Sequence, residues 1–238
     1  MAHWSKAAQA AYRQLMASPR EYLRDMAHVG LGRETERRAP ERWVLDLFPA
    51  LRDLPIEMGV VSYGQSGMGP YELYVLRGIA SLIQPRRIFE VGTFEGATTL
   101  ALANAAPDAE VLTLDLPSGS PGEGVRHETD SVDQGRTGIR FRDTRAADSI
   151  IQLVGDSRLF DFSPWYGTCD LVLIDGCHER SVVESDTANA IRLASRNGIV
   201  VWDDYIPGWP GVVAAVDALA SPRVVRLANT TLAIQLPA

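Results

Sequence analysis

Three aspartates stand where short apolar runs end: Asp175 after Leu171-Val-Leu-Ile, and Asp203 and Asp204 after Ile199-Val-Val-Trp. Runs of this length between polar segments read as buried strands. Ligands in open α/β sheets bind at the C-terminal edge, where such carboxylates converge. Three carboxylates in one place repel one another unless a cation neutralises them, and an all-oxygen set suits Mg²⁺, Mn²⁺ or Ca²⁺ rather than zinc. The alternative is a metal-free site in which Asp203 or Asp204 positions a substrate or caps the following turn. His178 lies three residues beyond Asp175. A histidine there serves as a base near neutral pH, or is a polar loop residue and no more. Trp202, Tyr205 and Trp209 surround the acidic pair, as walls of a pocket or as packing.

A second constellation is Glu90-Val-Gly-Thr-Phe-Glu-Gly-Ala-Thr-Thr99, an apolar run that reaches an acid and then two glycines, Gly92 and Gly96. Those glycines let backbone approach a ligand closely. Their spacing differs from the G-x-G-x-x-G turn that seats a pyrophosphate on a helix N-terminus. Asp115 closes the run Val111–Leu114, and Gly155-Asp156-Ser157 follows the run Ile150–Val154.

These residues need a scaffold, and the chain spells one out. After Pro85 the runs 88–91, 111–114, 150–154, 171–174 and 199–202 alternate with helical stretches, which predicts a parallel sheet covered on both faces. The runs 224–227 and 231–236, separated by Ala228-Asn-Thr, predict a hairpin that adds an antiparallel strand. Pro70 suits the first position of a helix over 71–82. Before it, Tyr63, Gln65, Ser66 and Met68 belong to a loop that either folds over a ligand or is a plain connector. Residues 1–62 read as a helical appendage, with Ala8, Tyr12, Leu15 and Met16, and then Trp43, Leu45, Leu47, Phe48 and Leu51, at helical spacing. Residues 63–238 form the α/β domain. The polar segment 116–149 is an insertion, expected as a loop near the site. Its Arg126, His127, Arg136 and Arg140 either meet an anionic group or are simply solvated.

Composition bounds the function. At 238 residues with 46% apolar residues, the chain buries a sizeable core without disulfides or metals. The net charge of −7 argues against a nucleic-acid partner and favours small-molecule chemistry. Arg33, Arg37, Arg38 and Arg42 are interleaved with Glu34, Glu36 and Glu41, which reads as a solvated face. Two cysteines, Cys169 and Cys177, flank an apolar run and form no disulfide framework, so a reducing cytoplasm is the expected compartment. No stretch approaches the apolar length of a signal peptide or membrane helix, so no membrane partner is expected. A homodimer through the appendage stays open.

The E-x-G-x-x-x-G-x-T pattern over 90–98 resembles the first motif of class I S-adenosylmethionine-dependent methyltransferases. The resemblance implies a Rossmann-like methyltransferase fold: a mostly parallel seven-stranded sheet with a C-terminal antiparallel hairpin strand and an N-terminal helical appendage. It implies S-adenosyl-L-methionine as cofactor, bound by Glu90, Gly92, Thr93, Gly96, Thr98, Asp115, Asp156, Ser157 and Asp175. The glycine turn would accommodate the methionine part, Asp115 both ribose hydroxyls, and Asp156 the adenine amino group. The acidic set is similar to that of catechol and caffeoyl-CoA O-methyltransferases. There an Asp and an Asp-Asn pair hold a divalent metal, and a lysine helps deprotonate a hydroxyl of a small-molecule acceptor. Asp175, Asp203 and Asp204 take the metal positions, with Asp204 replacing the Asn, and His178 replaces the lysine, so Asp175 and His178 are the catalytic expectation. Two other readings remain: a nicotinamide-dependent oxidoreductase and a non-catalytic S-adenosylmethionine-binding protein.

Overall fold

The computed structural model describes residues 37–56, 68–117 and 136–237. The expected helix around Ala8 to Met16, the loop residues Tyr63, Gln65 and Ser66, and Arg126 and His127 lie outside the described residues.

The elements, in chain order, are β1 (Glu41–Arg42), α1 (Val44–Leu47), a 3₁₀ turn (Pro49–Arg52), α2 (Pro70–Ile83), β2 (Arg87–Val91), α3 (Ala97–Ala105) and β3 (Glu110–Asp115). They continue with β4 (Ile150–Val154), β5 (Cys169–Ile174), α4 (Arg180–Leu193), β6 (Ala194–Trp202), α5 (Pro210–Asp217), β7 (Val224–Leu227) and β8 (Ala233–Gln235). The strands form one sheet in the order β1-β7-β8-β6-β5-β2-β3-β4. Strands β4, β3, β2, β5 and β6 run parallel, and β8 is antiparallel to both β6 and β7. The expected hairpin and parallel core are therefore present.

The sheet has eight strands rather than seven. The extra one is the two-residue β1, which pairs parallel with β7. Glu41–Arg42 has no apolar alternation to announce it. It is held instead by tertiary bonds: Arg38 N donates to the Asp217 carboxylate at 3.2 Å, Ala39 N to the Tyr205 hydroxyl at 3.1 Å, and Arg226 pairs with Glu41.

Period-two alternation divides the core. Ile88, Val111, Leu171, Leu173, Ile199 and Val201 face α2 and α3, whereas Phe89, Leu112, Leu114, Val172, Val200 and Trp202 face α4 and α5. Strands buried on both faces explain why each reads as a continuous apolar run. Helix α2 starts at Pro70 and stops at Gln84, which takes a left-handed conformation before Pro85. Among the described residues no helix is long and apolar enough to cross a membrane, and Cys169 and Cys177 are free thiols.

Candidate active site

The three central strands β2, β5 and β6 deliver the chemistry to one edge. Leaving β2, Gly92 (φ +103°) sits so close to β5's exit that a Cβ would overlap the Asp175 carbonyl oxygen. Only glycine fits there. Asp175 N donates to Val91 O at 2.8 Å, and Asp203 N donates to Ile174 O at 3.0 Å, so the glycine turn and both acidic loops are tied strand to strand.

Asp175, Asp203 and Asp204 each offer a carboxylate oxygen, and these lie within 4.8 Å of one another. Desolvation, reinforced by Asp203 and Asp204, holds the Asp175 carboxyl well above the usual carboxylate range. Desolvation and then Asp204 raise Asp203 to about 6. Desolvated, mutually repelling carboxylates are the donor set that a hard divalent cation satisfies. Asp203 Oδ1 accepts the Asp204 backbone N–H at 2.8 Å and the Thr231 hydroxyl. Thr231 lies in the hairpin loop between β7 and β8, a partner that nothing in the sequence signalled. Asp204 has φ +57°, a left-handed conformation that Asn and Asp tolerate better than most residues.

His178 joins this cluster: its Nε2 lies 2.8 Å from Asp204 Oδ2, and its ring stacks on Trp209 at 3.9 Å. Trp209 thus packs on the imidazole, Trp202 is fully buried and lines the cavity beside the acids, and Tyr205 is buried in the core. A cavity of about 10 Å³ beside the acids is lined further by Cys177, Val183 and Val212. That volume is the size of a water or an ion.

Around the glycine turn the side chains divide their tasks. Glu90 is fully buried, and its Oε2 accepts the hydroxyls of Thr99 and Thr113, each at 2.5 Å. Its Oε1 has no hydrogen-bond partner among the described residues, and burial pushes the carboxyl up to about 7. Thr93 bonds the Thr113 hydroxyl at 2.7 Å inside the protein, and Thr98 is buried in the first turn of α3. Asp115 lies next to the turn: its Oδ2 accepts the Phe94 N–H and its Oδ1 the Leu116 N–H, both at 2.7 Å, while burial raises its carboxyl.

Asp156 and Ser157 are drawn elsewhere. Arg158 binds both Asp156 oxygens, at 2.6 to 3.2 Å, and holds that carboxyl below its usual range; the Ser157 side chain bonds buried Asp186. Arg136 and Arg140 of the insertion pair with buried Glu95 of the glycine turn. Glu95, Thr99, Thr113 and Thr231 were not singled out by sequence. The placement of Glu95 and Thr99 inside the glycine motif is the one signal that could have flagged any of them.

Residues 89–205 match a methyltransferase domain family, a span that runs from β2 to the turn after the acidic pair. Among curated proteins, the catechol O-methyltransferase of Mycobacterium tuberculosis is 33% identical over 155 residues, covering 63% of this chain and 62% of that protein. The chain therefore matches under two thirds of that relative's length. The SAH-bound Podospora anserina methyltransferase superposes with a TM-score of 0.55 at 15% identity, over 100% of this chain and 97% of that one. An O-methyltransferase from Bacillus cereus, also in complex with SAH, gives 0.52 at 18% identity, over 81% and 88%. At these identities the superpositions establish the fold, a Rossmann-like methyltransferase fold.

Proposed function

We propose that this chain, whose residues 89–205 match a methyltransferase domain family, transfers the methyl group of S-adenosylmethionine to a hydroxyl oxygen of a small molecule, with a divalent cation at Asp175, Asp203 and Asp204. The observation that carries the proposal is the bond between Asp175 N and Val91 O, which sets the acidic cluster directly against the glycine turn. Methyl donor and acceptor must meet in line, and two adjoining half-sites are what that alignment requires.

In this reading Gly92 and Gly96 admit the methionine part of the cofactor, and Asp115, held by the Phe94 and Leu116 N–H groups, accepts the ribose hydroxyls with its remaining lone pairs. The reaction forms a carbon–oxygen bond and breaks the sulfur–carbon bond, releasing S-adenosylhomocysteine. The hydroxyl proton passes to His178, whose ring Trp209 and Asp204 hold in place. A bound divalent cation would lower the pKa of an acceptor hydroxyl. A second reading, transfer without a metal, is favoured by the His178–Asp204 bond, since an imidazole oriented by a carboxylate is a base in its own right.

Calorimetric titration with S-adenosylhomocysteine, followed by a transfer assay on a panel of catechol-type hydroxyls with Mg²⁺ or EDTA, tests both parts. Micromolar binding that Asp115→Asn weakens, together with EDTA-sensitive transfer, is the expected result. Absence of binding sinks the assignment, and transfer indifferent to EDTA sinks the metal and leaves the His178–Asp204 pair.

A further inference from the structure

The glycine turn is not held by its own strand and helix alone. The segment 136–141 docks against it face to face. Gly138 N donates to Phe94 O at 2.8 Å, Arg140 N donates to Glu95 O at 3.0 Å, and the Phe141 ring fills the space beside Gly96. At the centre is the Glu95 side chain, 6% exposed, whose two oxygens are taken separately by Arg136 and Arg140, the latter at 2.5 Å. A buried carboxylate paired with two guanidinium groups is a strong junction when both partners are present.

The junction leads directly to Asp115. Phe94, adjacent to Glu95, has φ +45°, which a bulky residue adopts only when its surroundings impose it. In that conformation its carbonyl meets Gly138 and its N–H meets Asp115 Oδ2 at 2.7 Å. We propose that Glu95 is a positioning residue for the cofactor: by clasping Arg136 and Arg140 it locks the insertion's return segment onto the glycine turn and fixes Phe94, and through Phe94 the Asp115 carboxylate, for the ribose. The proposal rests on the cofactor reading above. It assigns the insertion's C-terminal part a task, one that its arginine content alone does not reveal.

Glu95→Gln keeps the shape of the side chain and removes the charge that holds both guanidinium groups. Arg140→Gln removes one partner from the other side. Calorimetry with S-adenosylhomocysteine on wild type, both single variants and the double variant is the test. Each single variant is expected to raise Kd about tenfold, which corresponds to about 1.4 kcal/mol, with stoichiometry near one. The double variant is expected to be little worse than either single variant, since both break one unit. If Glu95 only stabilises the fold, the variants lose melting temperature or bound fraction while the Kd of the folded fraction stays within twofold of wild type, and the proposal is overturned. Wild type that binds no S-adenosylhomocysteine overturns the cofactor reading instead. Additive losses overturn the clasp as a single unit.

Discussion

Glu90→Gln probes the first acid of the glycine motif through the pH dependence of stability. Glu90 is fully buried, bonded by Thr99 and Thr113 through one oxygen, and its pKa rises from 4.5 to about 7. A carboxyl whose folded value exceeds its unfolded value imposes no cost below pH 4.5. Its cost grows as pH climbs towards 7 and is constant above, because the unfolded chain ionises first. At about 1.36 kcal/mol per pH unit, the cost is under about 1 kcal/mol at pH 5 and about 3 kcal/mol at pH 8. Glutamine preserves an acceptor for both threonines and does not titrate. Its amide N–H₂ replaces the unpartnered Oε1 and adds a fixed penalty of about 1–3 kcal/mol. Urea unfolding of both proteins from pH 5 to pH 8 separates the two effects. The wild-type curve is expected to lose about 2–3 kcal/mol relative to the variant across that range. A wild-type-minus-variant difference that stays level with pH would refute the reasoning, and would mean that Glu90 remains charged in the folded protein.

Other perturbations follow from the same geometry. Asp203→Asn retains an oxygen for Thr231 and Asp204 N. Since the Asp203 cost appears between pH 3.8 and about 6, the variant is expected to be the more stable protein in EDTA at pH 8. It should not gain melting temperature with Mn²⁺ as the wild type should. Gly96→Ala sets a Cβ 2.5 Å from Phe141 Cδ1 at φ +82°, and is expected to cost about 2–3 kcal/mol in urea unfolding. His178→Ala is expected to slow transfer about 100-fold while S-adenosylhomocysteine affinity by calorimetry is unchanged; equal losses in both would remove His178 from proton transfer.

The legible parts of the molecule are those where local pattern and burial agree. Strands β2, β3 and β5 bury both faces, so their apolar runs stood out, and the acids that end them stood out with them. Strand β6 begins at Ala194, five residues before its apolar run, because Ser195, Arg196 and Asn197 are polar at the far end of the sheet. Strand β1 was invisible because pairing with β7, not composition, creates it. In the site, sequence named the acids and the glycines but not what holds them: Thr231 reaches Asp203 across 28 residues and Glu95 reaches Arg136 across 41. The occupation of Asp156 by Arg158, two residues away, depended on a turn after β4 that no propensity rule specifies.

The shared clearance between Gly92 and the Asp175 carbonyl also bears on engineering. An acid loop taken from another enzyme would have to bring its backbone to the same point within a fraction of an ångström, or push the glycine turn aside. The two loops are therefore one cassette. A graft at this edge has to move residues 90–96 and 174–178 together.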